Sequence, residues 1–323
     1  MKNTYRFISL IIFCSTSLTI FYLFTSIASA QTSGLSLSVT PPLVEIMAKP
    51  GKSFEQRFII KNEGTASNIK VNVSPFTSAD AYGNVNLQEN LSDFDPQSFS
   101  SWFTFTKPRM KYGGKLFLPT GEMREVVVKI TPPEDASEGD YYFTITFETD
   151  YGDEVIAGNS ISKAKIGANI LLTVSESGTP TKKAKIVSFS APTIIDALVP
   201  ITYQVKIANI GSALFKPIGK ITVRDIFGRV QILTLAPQNI LASSTRVIPC
   251  IEGERIVTCT LKNKLPFGIY RASLIFNAEG GDKLYKEEAV TLVLPSTAII
   301  AITIVLIIII KIVRKTAKKE TRY

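Results

Sequence analysis

The chain contains no histidine. That removes Ser-His-Asp and Cys-His catalysis, and the commonest zinc ligand, in one step. Cysteine is scarce as well, with only Cys14, Cys250 and Cys259, and no pair has the Cys-x-x-Cys spacing of a redox site. No Gly-rich loop leads from a strand into a helix, so nucleotide binding has no support. Carboxylates are scattered: Asp150, Asp153 and Glu154 share one loop, Asp93 and Asp95 another. Neither spacing matches the paired carboxylates of a glycosidase or the dense, Gly-fixed loop of a calcium site. No enzyme, cofactor or metal site is expected.

What is present in quantity is apolar sequence at both ends. Lys2 and Arg6 precede a run from Phe7 to Phe24, followed by Ala28-Ser29-Ala30. These are the parts of a secretory signal, with Ala28 and Ala30 as the small residues before a cut that leaves Gln31 first. Cleavage over residues 1–30 is expected, and an uncleaved anchor is the alternative. Cys14 leaves with the signal. Phe13 before it excludes a lipoprotein reading, which needs a small residue there. A second apolar run, from about Val290 to Val313, is interrupted by Pro295 and Lys311. Its length predicts a transmembrane helix over 295–313 and a basic cytoplasmic tail over 314–323. The expected location is the cell membrane, single-pass, with the intervening residues outside and the tail cytoplasmic. The net charge of +9 sits mostly at these ends, so residues 31–310 are close to neutral. Without a concentrated basic face, no nucleic-acid partner is expected.

Leu294-Pro295-Ser296-Thr297-Ala298 stands directly before the last apolar run. It resembles the sortase sorting signal of Gram-positive surface proteins, which would be cut after Thr297 and joined to the cell wall. The other reading is that a strand ends at Leu294 and Pro295 opens a helix, where its missing N–H costs nothing.

The middle has the texture of an all-β protein. Leu35–Val39, Phe54–Ile60, Ile69–Val73, Val126–Ile130 and Tyr141–Phe147 alternate apolar with polar side chains or are β-rich, bounded by turn residues. The same plan occurs twice. Phe58-Ile59-Ile60-Lys61-Asn62-Glu63-Gly64 is matched by Val205-Lys206-Ile207-Ala208-Asn209-Ile210-Gly211. Gly139-Asp140-Tyr141 is matched by Gly268-Ile269-Tyr270. Asn and Gly suit turns whose backbone other residues resist. The expectation is two tandem immunoglobulin-like β-sandwiches, over 31–176 and 184–294, joined by the polar linker 177–183.

Ser38-Val39-Thr40-Pro41-Pro42, Lys49-Pro50-Gly51-Lys52, Ser101-Trp102-Phe103-Thr104-Phe105, Thr120-Gly121-Glu122, Thr131-Pro132-Pro133-Glu134-Asp135-Ala136 and Gly139-Asp140-Tyr141 follow one another in the first half. This succession resembles the N-terminal domain of the WxL-interacting proteins of Gram-positive bacteria, and the wider class of immunoglobulin-like or pilus-chaperone-like sandwiches. The resemblance covers about residues 35–175; the second half matches only by position. It lacks the Gly-Gly pair expected after Asp140. It implies peptidoglycan binding by the first sandwich and partner binding by the second. The expected function is therefore a non-enzymatic surface protein that binds cell-wall polymer or another surface protein, by an open sheet edge if the partner adds a strand. A structural stalk or membrane-complex subunit is the alternative.

Two clusters remain. Cys250 and Cys259 flank a short insert with Gly253, which suits a hairpin and a disulfide, with free buried thiols as the alternative. Trp102, the one tryptophan, alternates with Phe103 and Phe105 in an aromatic stretch. Filling the core is the first reading. An exposed ligand platform for a sugar ring, framed by the long loop from Asp80 to Ser100, is the second.

Overall fold

Alternation of side chains decides the first sandwich. In Phe54–Asn62, Phe58 and Ile60 are buried while Arg57 and Ile59 face out. The computed structural model describes residues 37–88, 99–150, 164–262 and 264–320. The signal segment with Ala28 and Ala30 lies outside these, as do Asp93, Asp95, Asp153 and Glu154.

One sheet runs in the order Leu37–Thr40, Phe54–Asn62, Met123–Ile130, Phe103–Lys107, Arg109–Met110, antiparallel throughout. The facing sheet runs Leu43–Ala48, Lys165–Val174, Gly139–Asp150, Ser67–Ser78, Val85–Leu87, and Lys115–Leu118 also pairs with Ser67–Ser78. Its edge strand Leu43–Ala48 is the exception, pairing in parallel. The chain changes sheets at Pro41-Pro42, where no ladder N–H is available. Phe58, Phe105 and Val128 from one sheet meet Val71, Phe147 and Ile170 from the other in a single core. Each such side chain contributes roughly 1.5–3 kcal/mol by leaving water.

The second sandwich packs Ala184–Ser190, Gln204–Asn209 and Thr245–Ile248 against a seven-stranded sheet whose central strand, Pro217–Arg224, pairs with Gly268–Ala278 on one side and Val230–Leu235 on the other. Val205, Ile207, Ile221, Leu274 and Phe276 fill its core. The chain is thus mostly β, with its sheets stacked as sandwiches.

The repeated sequence plan has a repeated physical basis. Asn62 is fully buried; its Nδ2 donates to the carbonyls of Thr65 and Leu118, and its Oδ1 accepts from Gly64 N–H. Asn209 does the same with Ala213, Ile240 and Gly211. Each amide therefore ties a strand end to a neighbouring segment. Gly139 and Gly268 both take positive φ, 147° and 126°, which favours glycine. Each leads a tyrosine whose hydroxyl reaches back upstream: Tyr141 donates to Ser137 O, and Tyr270 accepts from Leu265 N–H. Gly211 serves a different end from the turn conformation expected of it. A Cβ there would lie 2.5 Å from Thr181 O, because the segment 181–183 runs against it.

Cys250–Glu252 and Arg255–Val257 pair as a hairpin, and Cys250 and Cys259 form a disulfide. Both sulfurs lie in the second core.

The expected membrane span over 295–313 is corrected by the structure. The apolar run from Val290 is divided: Val290–Leu294 completes the last strand, paired with Gly268–Arg271. Pro295 follows, and a helix covers Ser296–Glu320. Its charge-free stretch from Ala298 to Ile310, with Thr303 inside it, is about 20 Å long at ~1.5 Å per residue, short of the ~30 Å hydrocarbon core. Among the described residues, no helix is long and apolar enough to cross a membrane. The single-pass location, the membrane as partner and the separate cytoplasmic tail over 314–323 fall with it, since Arg314 to Glu320 continue the same helix.

Replacing Asn62 or Asn209 with Ala leaves buried carbonyls and an N–H unpaired, so each should cost about 3 kcal/mol of unfolding free energy in urea titration. Exposed Asn68→Ala should be near neutral. A Cys250→Ser/Cys259→Ser chain should lose about 2.5 kcal/mol, the loop-closure value for this short separation.

Candidate functional site

Both sandwiches belong to one compact unit, and a polar junction joins them. Asp140 follows Gly139 at the start of a strand, so its side chain falls on the outer face of the second sheet, in alternation with core-facing Tyr141. Its Oδ1 accepts from Thr173 Oγ1 at 2.7 Å. Its Oδ2 accepts from Tyr142 Oη at 2.6 Å and from Leu214 N–H, in the other sandwich, at 2.5 Å. Asp140 N–H donates to Ser212 O. Tyr142 Oη in turn accepts from Ala242 N–H at 2.7 Å. A second clamp centres on Glu45: Lys216 Nζ lies at 2.8 Å and Asn239 Nδ2 donates at 2.6 Å. A third forms where Val247 N–H donates to Ala81 O.

These bonds leave a cleft of about 350 Å³ between the sandwiches. Its floor is the outer sheet face. Glu45 and Leu171 are direct register partners there, as are Leu43 and Asn169. Phe76 lines it too, stacked on Tyr142 at 5.6 Å. The facing wall is Lys216 with the segment from Pro237 to Arg246. The Asp80 loop closes one end. Its carboxylate accepts from Tyr82 N–H, Asn84 N–H and Asn84 Nδ2, which shapes the turn.

Charge is held unequally around this site. Burial pushes the Asp140 carboxyl above its ordinary value, against the pull of its hydrogen bonds. Burial, with Asp140 beside it, raises the Tyr142 phenol. Burial also raises Glu45, but Lys216 and Asn239 more than offset it, so its carboxyl is held low. Desolvation lowers Arg246, with Asp80 opposing. Among the described residues, no group of His, Cys, Asp or Glu could hold a metal.

The residues singled out from the sequence lie elsewhere. Trp102, Phe103 and Phe105 are only 6%, 7% and 2% exposed. Trp102 packs on Tyr141 at 4.9 Å between ring centroids and Phe103 on Phe143 at 4.9 Å. They fill the first core, so they offer no open platform to a sugar ring. Leu294 ends a strand, Pro295 follows, and Ser296, Thr297 and Ala298 form the first helical turn. Asp196 accepts from Ser296 Oγ and from Thr297 N–H there. The cleft residues Glu45, Asn239 and Arg246, and Tyr142 at the junction, had no local signal. Alternation placed the strand residues on an outward face, and only the second sandwich gives them partners.

No family model matches the chain, and no curated protein does. Among solved structures, the class 5 fimbriae chaperone CfaA is 14% identical, over 78% of this chain and 98% of its own, with a TM-score of 0.39. The E. coli chaperone DraB is 13% identical with the same coverage and a TM-score of 0.36. The CupB2 chaperone of Pseudomonas aeruginosa is 11% identical, again with that coverage, with a TM-score of 0.34. Likeness at this level carries nothing about what this chain binds.

Because the folded state raises Asp140 above 3.8, it binds that proton more readily than the unfolded chain. The group's stabilising contribution is full below about pH 3.8 and declines as pH rises through the raised value. Asp140→Asn should remove this slope yet keep the junction, since its oxygen still accepts from Leu214 and its nitrogen can face the Thr173 hydroxyl. Urea midpoints of both proteins from pH 4 to 7 check this; parallel curves would contradict it. Tyr142→Phe strands Ala242 N–H and should cost about 1–2 kcal/mol.

Proposed function

We propose that the chain is a non-catalytic binding protein in which two immunoglobulin-like sandwiches present the cleft between them to a segment of another surface protein. The observation that carries this reading is the cleft itself. Its walls come from both sandwiches, its ion pair is already satisfied within the protein, and Leu43, Phe76, Val85, Leu171 and Leu241 supply apolar lining beside polar groups. Concave, mostly preformed sites of this kind are where ligands bind. The Cys250–Cys259 disulfide supports a compartment outside the reducing cytosol. A cell-wall glycan fits the cleft less well. The aromatic ring lining it, Phe76, is buried against Tyr142 and leaves no open face for a sugar.

The test is photo-crosslinking in expressing cells, with the reactive side chain at Leu241 in the cleft or at exposed Val187. A discrete protein adduct from position 241 alone is expected. Adducts from both positions alike, or retention on insoluble peptidoglycan with no protein adduct, would count against the proposal.

A further inference from the structure

The second sheet of the first sandwich ends in an open edge. Leu43–Ala48 lies last in that sheet and pairs on one side only, in parallel with Lys165–Val174. Asn169 N–H donates to Pro42 O and Ser175 N–H to Ala48 O. The parallel register between those two bonds turns the N–H and C=O groups of Val44, Ile46 and Ala48 toward the neighbouring strand. By alternation, those of Leu43, Glu45 and Met47 point off the edge. Among the described residues, no backbone or side-chain group bonds to them. The strand is exposed along its length: none of its residues is buried, and Leu43 and Met47 are 44% and 51% exposed.

Unpaired edges invite another strand, so proteins shorten, bulge or charge them. The other end strands of this chain follow that rule. Ala184–Ser190 has a register shift between Ile186 and Ser188, Thr245–Ile248 gives its Val247 N–H to Ala81 O, and the rest have four residues or fewer. Leu43–Ala48 has six residues, with no register shift and no proline. Its one charge, Glu45, is engaged by Lys216 and Asn239. We propose that this edge takes an extended segment of the partner protein as an added strand. Ladder bonds to Leu43, Glu45 and Met47 hold the segment's main chain. Its apolar side chains cover the half-buried Val44, Ile46 and Ala48 on one face and lie beside Leu43 and Met47 on the other. Leu43 and Glu45 also line the cleft, so a partner seated there reaches the edge. This assignment rests on the protein-binding role proposed above and adds the mode of contact.

The experiment uses the full chain and a display library of random peptides. Selected binders should lose affinity roughly tenfold in Met47→Pro, which deletes an outward N–H yet keeps the bonds to Lys165–Val174. Met47→Ala keeps that N–H and should lose much less. N-methylation along a selected peptide should weaken its binding to the wild-type chain at every second residue, the period of a strand. This scan needs no variant, so it decides the matter even where a thermal midpoint shows that Met47→Pro has not folded. Binders indifferent to folded Met47→Pro, or a scan without alternation, would overturn strand addition and leave the protein-binding role standing. A wild-type chain that dimerises where Met47→Pro stays monomeric would put a second copy on the edge and overturn the partner assignment. A library with no binder, alongside a protein adduct from position 241, would overturn strand addition alone; no binder and no adduct would overturn both.

Discussion

The carboxylate of Asp140 joins the two halves of this protein, and the cleft depends on that joint. It accepts from Tyr142 and Thr173 on its own sheet and from Leu214 N–H across the junction, while Tyr142 passes a further bond to Ala242. Desolvation opposes its charge strongly enough to raise its proton affinity despite these bonds. Losing the side chain would be worse than keeping it strained electrostatically, because three donors would be left without their acceptor. With the joint in place, Glu45 can meet Lys216 and Asn239, and the outer face of one sheet becomes the floor of a site.

Each sandwich was built on one internal plan. Asn62 and Asn209 use all of their amide atoms in the same way, and Gly139 and Gly268 open the same kind of strand. The second sandwich then departs from the first where the two meet. Gly211 is kept small by the segment 181–183 pressed against it, and the adjoining residues Ser212 and Leu214 face Asp140. The turn that in the first sandwich faces away from the junction becomes, in the second, part of the joint.

Much of this was readable from residue order. Phe54–Ile60 and Val126–Ile130 alternate, and alternation has one stable solution when a single face can be buried. The two cysteines lay close enough in sequence for a hairpin to bring them together. The aromatic stretch around Trp102 read first as core and second as platform, and burial bears out the first; a sheet face shows its side chains without showing what covers them. The apolar run before Lys311 read as one segment. Its first residues belong to the last strand, which the partner strand Gly268–Ala278 recruits through a ladder no local pattern records.

The order of residues alone determined that this is a β protein of two repeated halves without histidine chemistry, since periodicity and composition are local properties. Only the folded chain decided where a site could exist. Asp140, Tyr142, Glu45, Asn239 and Arg246 are ordinary polar residues on strands and loops until the second sandwich is laid against the first. Hydrogen bonds between residues about a hundred or more positions apart depend on the approach of surfaces, and nothing in the neighbouring sequence encodes that approach.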